Sequence, residues 1–288
     1  MRSRDWSLVF FTTLAQWSVG IIVCFTALAF LPGGAAVIAD TGLSARNPVL
    51  LALLLVALAT TSSFLHLGKP SNAPGAMNNL SGSWLSREIL AIGLFSVSLL
   101  LTLFSGWKSG GMEYPGYLLL VCSITGLFLL WAMARVYLIP TIPAWNNWYT
   151  PLSFALTTLC LGLATFLLLD TVVEDGSGKP LAWFYVGFLI AVLLLELLSG
   201  FLHQQQLNKM PTGMDGPVFN RGTLHRLFLA RMALLSIACL AMIASLLQAN
   251  LAPGSGALTW VYPVLALVFI QEIVGRFLFY LSYFRIGV

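Results

Sequence analysis

His66 and Glu88 stand on either side of one short polar connection, the first closing an apolar run and the second opening the next. An imidazole and a carboxylate so placed suit a base that accepts protons when a carrier with ring oxygens is oxidised. Other ionisable or phenolic groups interrupt apolar runs further along: Arg135 with Tyr137, Glu196 and His203, His225 and Arg231, then Glu272, Arg276 and Tyr280. A charge at the centre of a membrane helix costs roughly 2.5–3.5 kcal/mol on insertion scales, which makes each of these a functional candidate.

Each residue also has a purely structural explanation. Glu272 and Arg276 are four positions apart, share a helix face and can neutralise one another. Arg135 and Arg231 can pair with Glu196 or Glu88, or extend toward an interface. His203 and His225 flank a loop, where exposed interfacial histidines are ordinary, and a hydrogen bond between His66 and Glu88 would staple their connection. A haem would need two histidines facing each other at one depth; His66 with His203 or His225 is the available combination.

The elements that must position these groups are membrane helices. The 288 residues are 59% hydrophobic and 8% charged, with a mean hydropathy of +0.91. Soluble domains carry about 25% charged residues, so lipid is the natural solvent of this surface. Spanning the hydrocarbon core takes roughly 20 apolar residues. Runs at 6–31, 48–66, 86–106, 114–139, 149–170, 181–203, 223–247 and 258–281 meet or approach that length, separated by Pro- and Gly-containing breaks. Unpaired backbone is not tolerated in lipid, so each run is expected to be helical. The expectation is an all-α integral membrane protein, a bundle of eight transmembrane helices forming one domain over 1–288. The first run exceeds the length of a signal peptide's apolar core and reads as a retained helix.

Cys24, Cys122, Cys160 and Cys239 fall in four different runs, without the spacing of a metal or cluster framework, and read as packing residues. No metal site is expected. With an even number of spans both termini share one side, where nine Lys or Arg gather against three on the other, Arg231 and Arg276 apart. The positive-inside rule assigns that side to the cytoplasm. The basic excess then reflects topology, and no nucleic-acid partner is implied. The polar candidates fall in the halves nearest the same side. A pump or channel needs polar groups through the full thickness; a cavity open to one side suits an amphiphile such as a quinone. A small-solute carrier would show inverted repeats and broken helices, and neither is apparent.

The longest connections, 67–85 and 204–222, with 140–148, lie on the side of the polar groups and suit docking of a soluble partner. Their motifs carry a resemblance. His66-Leu67-Gly68-Lys69-Pro70 and Trp84-Leu85-Ser86-Arg87-Glu88 come first, then Ala134-Arg135-Val136-Tyr137 and Pro143-Ala144-Trp145 with Trp148-Tyr149-Thr150-Pro151. Glu272-Ile273-Val274-Gly275-Arg276 and Phe279-Tyr280 close the series. In this order, over essentially the whole chain, the sequence resembles the DmsC anchor subunits of dimethyl sulfoxide reductase, and more distantly the NrfD-type anchors.

The resemblance implies a subunit that contributes a quinone site to an oxidoreductase whose catalytic centre is elsewhere. It implies menaquinol or ubiquinol binding without haem. It also implies a docked ferredoxin-like subunit with four [4Fe–4S] clusters and a molybdopterin catalytic subunit beyond it. His66 and Glu88 match the quinol-site histidine and glutamate of the family, and Arg231, in Leu229-Ala230-Arg231-Met232, matches an arginine also implicated there. Arg135, Tyr137, Glu272 and Arg276 are expected to complete the site. The sulfoxide reductases of the family place their catalytic subunits outside the cytoplasmic membrane, whereas the charge distribution here puts the docking face and both termini in the bacterial cytoplasm. Similar anchors serve a cytoplasm-facing sulfite dehydrogenase that passes electrons into the quinone pool, and the charge favours that assembly.

Overall fold

Apolar runs of this length bury their backbone hydrogen bonds best as helices, and helices are what form. A computed structural model describes residues 3–32, 47–64, 77–108, 114–171, 180–209, 222–251 and 261–283, with the single positions 34, 38 and 75. The helices are α1 (Ser3–Phe30), α2 (Pro48–Phe64), α3 (Trp84–Lys108), α4 (Gly116–Tyr137), α5 (Tyr149–Thr171), α6 (Pro180–Lys209), α7 (Gly222–Leu251) and α8 (Val261–Leu281). Among the described residues, seven are long and apolar enough to cross a membrane. The exception is α2, apolar but 17 residues long, or about 26 Å at 1.5 Å per residue against a core of about 30 Å. Its last expected residues, with His66, lie outside the described residues.

The chain forms two compact units, Met1–Val136 and Tyr137–Val288. In the first, α1 packs along α2, and α2 along α3. The α1 side chains Val9, Ala15, Ile21 and Ile22 have no exposed surface. Between apolar helices in lipid, small side chains and short polar links replace the hydrophobic driving force. Ser18 Oγ donates to the Ala52 carbonyl (2.6 Å) and Thr26 Oγ1 to that of Leu119 (3.2 Å), while Ser123 Oγ donates to Thr26 Oγ1 (2.8 Å). Ser98 and Thr125 hydroxyls meet at 3.0 Å. The outward side chains of α3, among them Val97, Leu101, Phe104 and Trp107, are apolar and exposed, a surface that lipid covers.

Asn47 opens α2. Its Oδ1 accepts from the Leu50 amide (2.9 Å), capping the helix, and from the Tyr114 hydroxyl (2.7 Å). Burial pushes the Tyr114 phenol up to about 12, so it stays a neutral donor. The Asn47 backbone is left-handed, φ 49°, a conformation asparagine tolerates better than most residues.

In the second unit α5 packs on α6, α6 on α7, α7 on α8, and α8 back on α5. The four close a bundle whose interior carries both apolar residues (Phe154, Leu161, Leu189, Leu235, Val268) and a set of buried polar ones.

Asn47→Ala removes the cap and the Tyr114 bond and places alanine at positive φ. We expect a loss of about 1–3 kcal/mol, read as an earlier unfolding midpoint in detergent. Asn47→Gly, relieved of the backbone strain, should lose less; equal stability of wild type and Asn47→Ala would show that the cap is not holding α2.

Candidate functional site

In the first unit the candidate residues sit where α3 begins. Asn79 Oδ1 accepts from the Gly82 amide (3.0 Å) and Ser83 Oγ from that of Ser86 (3.3 Å), fixing the approach to the helix. Arg87 turns back on that approach, its Nε donating to the Leu80 carbonyl (2.8 Å) and its Nη2 to that of Ser81 (2.7 Å). The guanidinium also lies 4.2 Å from the centre of the Trp84 ring. Glu88, one residue on, points inward and is 5% exposed, and its Oε1 has no hydrogen-bond partner among the described residues. Arg135 of α4 lies over Trp84 at 4.7 Å and Trp131 at 5.7 Å, its Nε likewise without a hydrogen-bond partner. A buried carboxylate oxygen without a donor costs free energy unless a proton or ligand meets it. That makes Glu88 chemically available. His66 lies outside the described residues.

In the second unit Arg231 of α7 is buried and collects acceptors from the other three helices. Nη1 donates to the Tyr149 hydroxyl of α5 (3.0 Å) and Nε to Gln271 Oε1 of α8 (3.3 Å), and Nη2 stands 3.6 Å from Glu196 Oε2 of α6. Gln271 Nε2 donates to both carboxylates, at 3.2 Å to Glu196 Oε2 and 2.9 Å to Glu272 Oε1. Thr157 of α5 donates to Glu272 Oε2 (2.8 Å) and accepts from Arg276 Nη2 (3.4 Å). Glu272 and Arg276, expected to share a helix face, are thus linked through Thr157.

The guanidinium of Arg231 fits because position 275 is glycine. A Cβ there would stand 2.6 Å from both Arg231 Cζ and Nε. Arg276 lies over the Phe154 ring at 4.1 Å, within a group of rings. Tyr137 meets Tyr280 hydroxyl to hydroxyl at 2.8 Å, and Trp145 stacks on Phe279 while donating from Nε1 to its carbonyl (2.8 Å). A cavity of ≈ 40 Å³ lies among Tyr149, Thr157, His203, Arg231, Gly275 and Arg276. It accommodates water molecules and is too small for a quinone ring as it stands.

The structure therefore gathers Arg231, Glu272 and Arg276 in one network and sets Tyr137 among the adjoining rings, while Glu88 and Arg135 lie in the first unit. His203 departs from the interfacial exposure expected of it. It is 7% exposed and stacked on Tyr149, ring centres 4.1 Å apart, because α6 continues past 203 to Lys209. His225 is half-buried. Glu196 and Glu272 lie near the middle of the spans Tyr185–Lys209 and Tyr262–Leu281, deeper than a position near one interface. Gln271, Tyr149 and Thr157 belong to the network although they escape a search for ionisable residues. The legible signal is Gln271, an amide within an otherwise apolar stretch of α8.

All four cysteines are free and buried. Cys160 Sγ and carboxylate oxygens of Glu196 and Glu272 lie within 4.8 Å of one another, the spacing of a cation site. Three of the four carboxylate oxygens already accept from Gln271 or Thr157, and the Arg231 cation stands beside them. The donor set is that of a hydrogen-bonded network, and it argues against a metal.

The family model described as DMSO reductase anchor subunit (DmsC) matches residues 1–281. The DmsC-type polypeptide of the anaerobic dimethyl sulfoxide reductase of Escherichia coli (strain K12) is 31% identical over 62% of this chain and 62% of its own length. A second anaerobic dimethyl sulfoxide reductase polypeptide of that organism, YnfH, is 31% identical over 68% of this chain and 69% of its own. The third polypeptide, by letter, of the sulfite dehydrogenase of Allochromatium vinosum is 27% identical over 68% and 63%. The first of these is thus spanned over less than two thirds of its length. No solved structure matches the chain with significance.

Arg231→Met leaves Glu196 buried without its cation, which should cost about 3–5 kcal/mol, measured by denaturant unfolding in detergent. Adding Glu196→Gln should return a large part of that loss. If the double variant is no more stable than Arg231→Met alone, the two side chains are not energetically paired.

Proposed function

Because the chain belongs to the DMSO reductase anchor subunit (DmsC) family, we propose that it binds quinone or quinol and exchanges electrons between the quinone pool and a docked iron–sulfur subunit. The observation that carries this reading is Glu88. It is buried at the opening of α3 with one carboxylate oxygen unpartnered among the described residues, and it belongs to the Ser86-Arg87-Glu88 motif matching the family's quinol site. In this reading His66 and Glu88 take the ring protons. Oxidising a quinol releases two electrons and two protons; the electrons tunnel to the nearest cluster of the partner, and the protons leave through the two side chains. Arg135 and Arg231 fix the carboxylates, with Tyr137, Glu272 and Arg276 completing the polar lining. The chain supplies this site, without haem, to a complex whose molybdopterin and [4Fe–4S] clusters belong to other subunits.

The whole chain acts as one anchor of eight spans in the bacterial inner membrane, α2 crossing as the shortest. Both termini and the loops 67–85, 140–148 and 204–222 face the iron–sulfur subunit. The nine-to-three distribution of basic residues supports a cytoplasmic docking face, and with it an assembly like sulfite dehydrogenase. A second reading, the anchor of a respiratory dimethyl sulfoxide reductase oxidising menaquinol, is favoured by the names of the two relatives at 31% identity. Reporters fused to both termini and to the 171–179 loop separate the two: cytoplasmic termini support the first, periplasmic termini the second.

His66→Ala and Glu88→Gln should each lower quinone-coupled turnover of the assembled complex by at least about 100-fold, in line with loss of a general base. Turnover with a soluble dye that feeds the iron–sulfur subunit directly should stay unchanged. Unaltered quinone-coupled turnover in both variants would remove the site assignment.

A further inference from the structure

The quinone reading gives Glu272 a place but leaves Glu196 without a role, although Glu196 lies deep in the second unit and is 3% exposed. We propose that Glu196 and Glu272 form a proton-storage site that holds a single proton between them and fills through the cavity beside Arg231. Its use during turnover rests on the quinone reading; the site itself rests on the geometry of the second unit.

The donors around the pair are unevenly distributed. Glu272 accepts at both oxygens, from Gln271 Nε2 and Thr157 Oγ1, and Glu196 Oε2 accepts from Gln271 Nε2 with Arg231 Nη2 at 3.6 Å. Glu196 Oε1, equally buried, receives nothing among the described residues. With both groups ionised, one anionic oxygen is left bare out of water, and two like charges face each other within 4.8 Å. Carboxylates sharing a site in this way keep one proton between them. A proton on the pair turns the bare acceptor into a donor and removes the repulsion. The groups facing the pair are Arg231 from α7, Cys160 and Thr157 from α5, and Gln271 and Arg276 from α8. One proton leaves enough negative charge to hold Arg231.

A route is present. Thr157 lines the cavity and its hydroxyl donates to Glu272 Oε2. Water in the cavity can pass a proton to Thr157 Oγ1 as that hydroxyl gives its own to Glu272. The step is a carboxylate becoming a carboxylic acid, with no change of oxidation state. Tyr149, His203, Arg231 and Arg276 line the same cavity. The proton enters and leaves by that opening, so the pair stores charge without carrying it across the membrane.

Infrared difference spectroscopy of the assembled complex in lipid, stepped between acid and alkaline pH without quinone, tests this. The wild type should show a carboxylic-acid C=O band that moves to lower frequency in D2O. The band should disappear in Glu196→Gln, shift in Glu196→Asp, shift or disappear in Glu272→Gln, and persist in Glu88→Gln. Absence of a deuterium-sensitive band in the wild type, or a band unchanged in all three pair variants, overturns the proposal. The outcome is independent of the quinone reading: a band of the expected behaviour beside undiminished quinone turnover in His66→Ala would keep the storage site and remove that reading.

Discussion

A guanidinium buried between apolar helices needs an acceptor for each face it presents, and the second unit is arranged around meeting that need for Arg231. The residue sits on α7, and its partners come from α5 (Tyr149), α6 (Glu196) and α8 (Gln271). Desolvating the ion costs several kcal/mol, which geometry and further hydrogen bonds must offset. The bundle can therefore close in few ways: a register shift in one helix would strand a charge. Burial of leucines against leucines gives no comparable discrimination in lipid, where tails and side chains are equally apolar. Specificity of helix packing here is carried by polar contacts.

The same need explains the small features nearby. Gly275 lets the guanidinium lie against α8 where any Cβ would collide with it. Gln271 divides its two amide protons between Glu196 and Glu272, joining like charges that would otherwise repel. Thr157 continues the chain of donors to Arg276, which rests on the Phe154 ring. The first unit meets the requirement less completely. Its helices are joined by serine and threonine hydroxyls, while Glu88 Oε1 remains open. An unmet polar atom in an otherwise satisfied interior is where a ligand or proton does its work.

Much of this was legible in the sequence because hydrocarbon is a strict solvent. The apolar runs located the helices, and the rarity of charge inside them singled out Glu88, Arg231, Glu272 and Arg276. The ends of helices were less legible. Hydropathy falls at His203, but helix formation does not, since Gln204, Gln205, Gln206 and Leu207 favour the helix whether or not lipid surrounds them; the extension buries His203 against Tyr149. Neutral polar residues were also missed: Gln271 and Thr157 carry no charge to mark them, yet they connect the ones that do. The matching of Glu196 with Arg231 depends on which helices become neighbours, which periodicity within one helix cannot supply. Motif order, by contrast, pointed to the family that the match over residues 1–281 establishes.

The central claim, that the protein handles a quinone beside Glu88, is tested most directly by photoaffinity labelling. The assembled complex would be irradiated in lipid with an azido-quinone, and the labelled peptides mapped by mass spectrometry. Label on the segment that begins α3 and on the connection carrying His66, removed by excess unlabelled quinone, is the expected result. Label confined to other segments, or undiminished by competition, would contradict the claim.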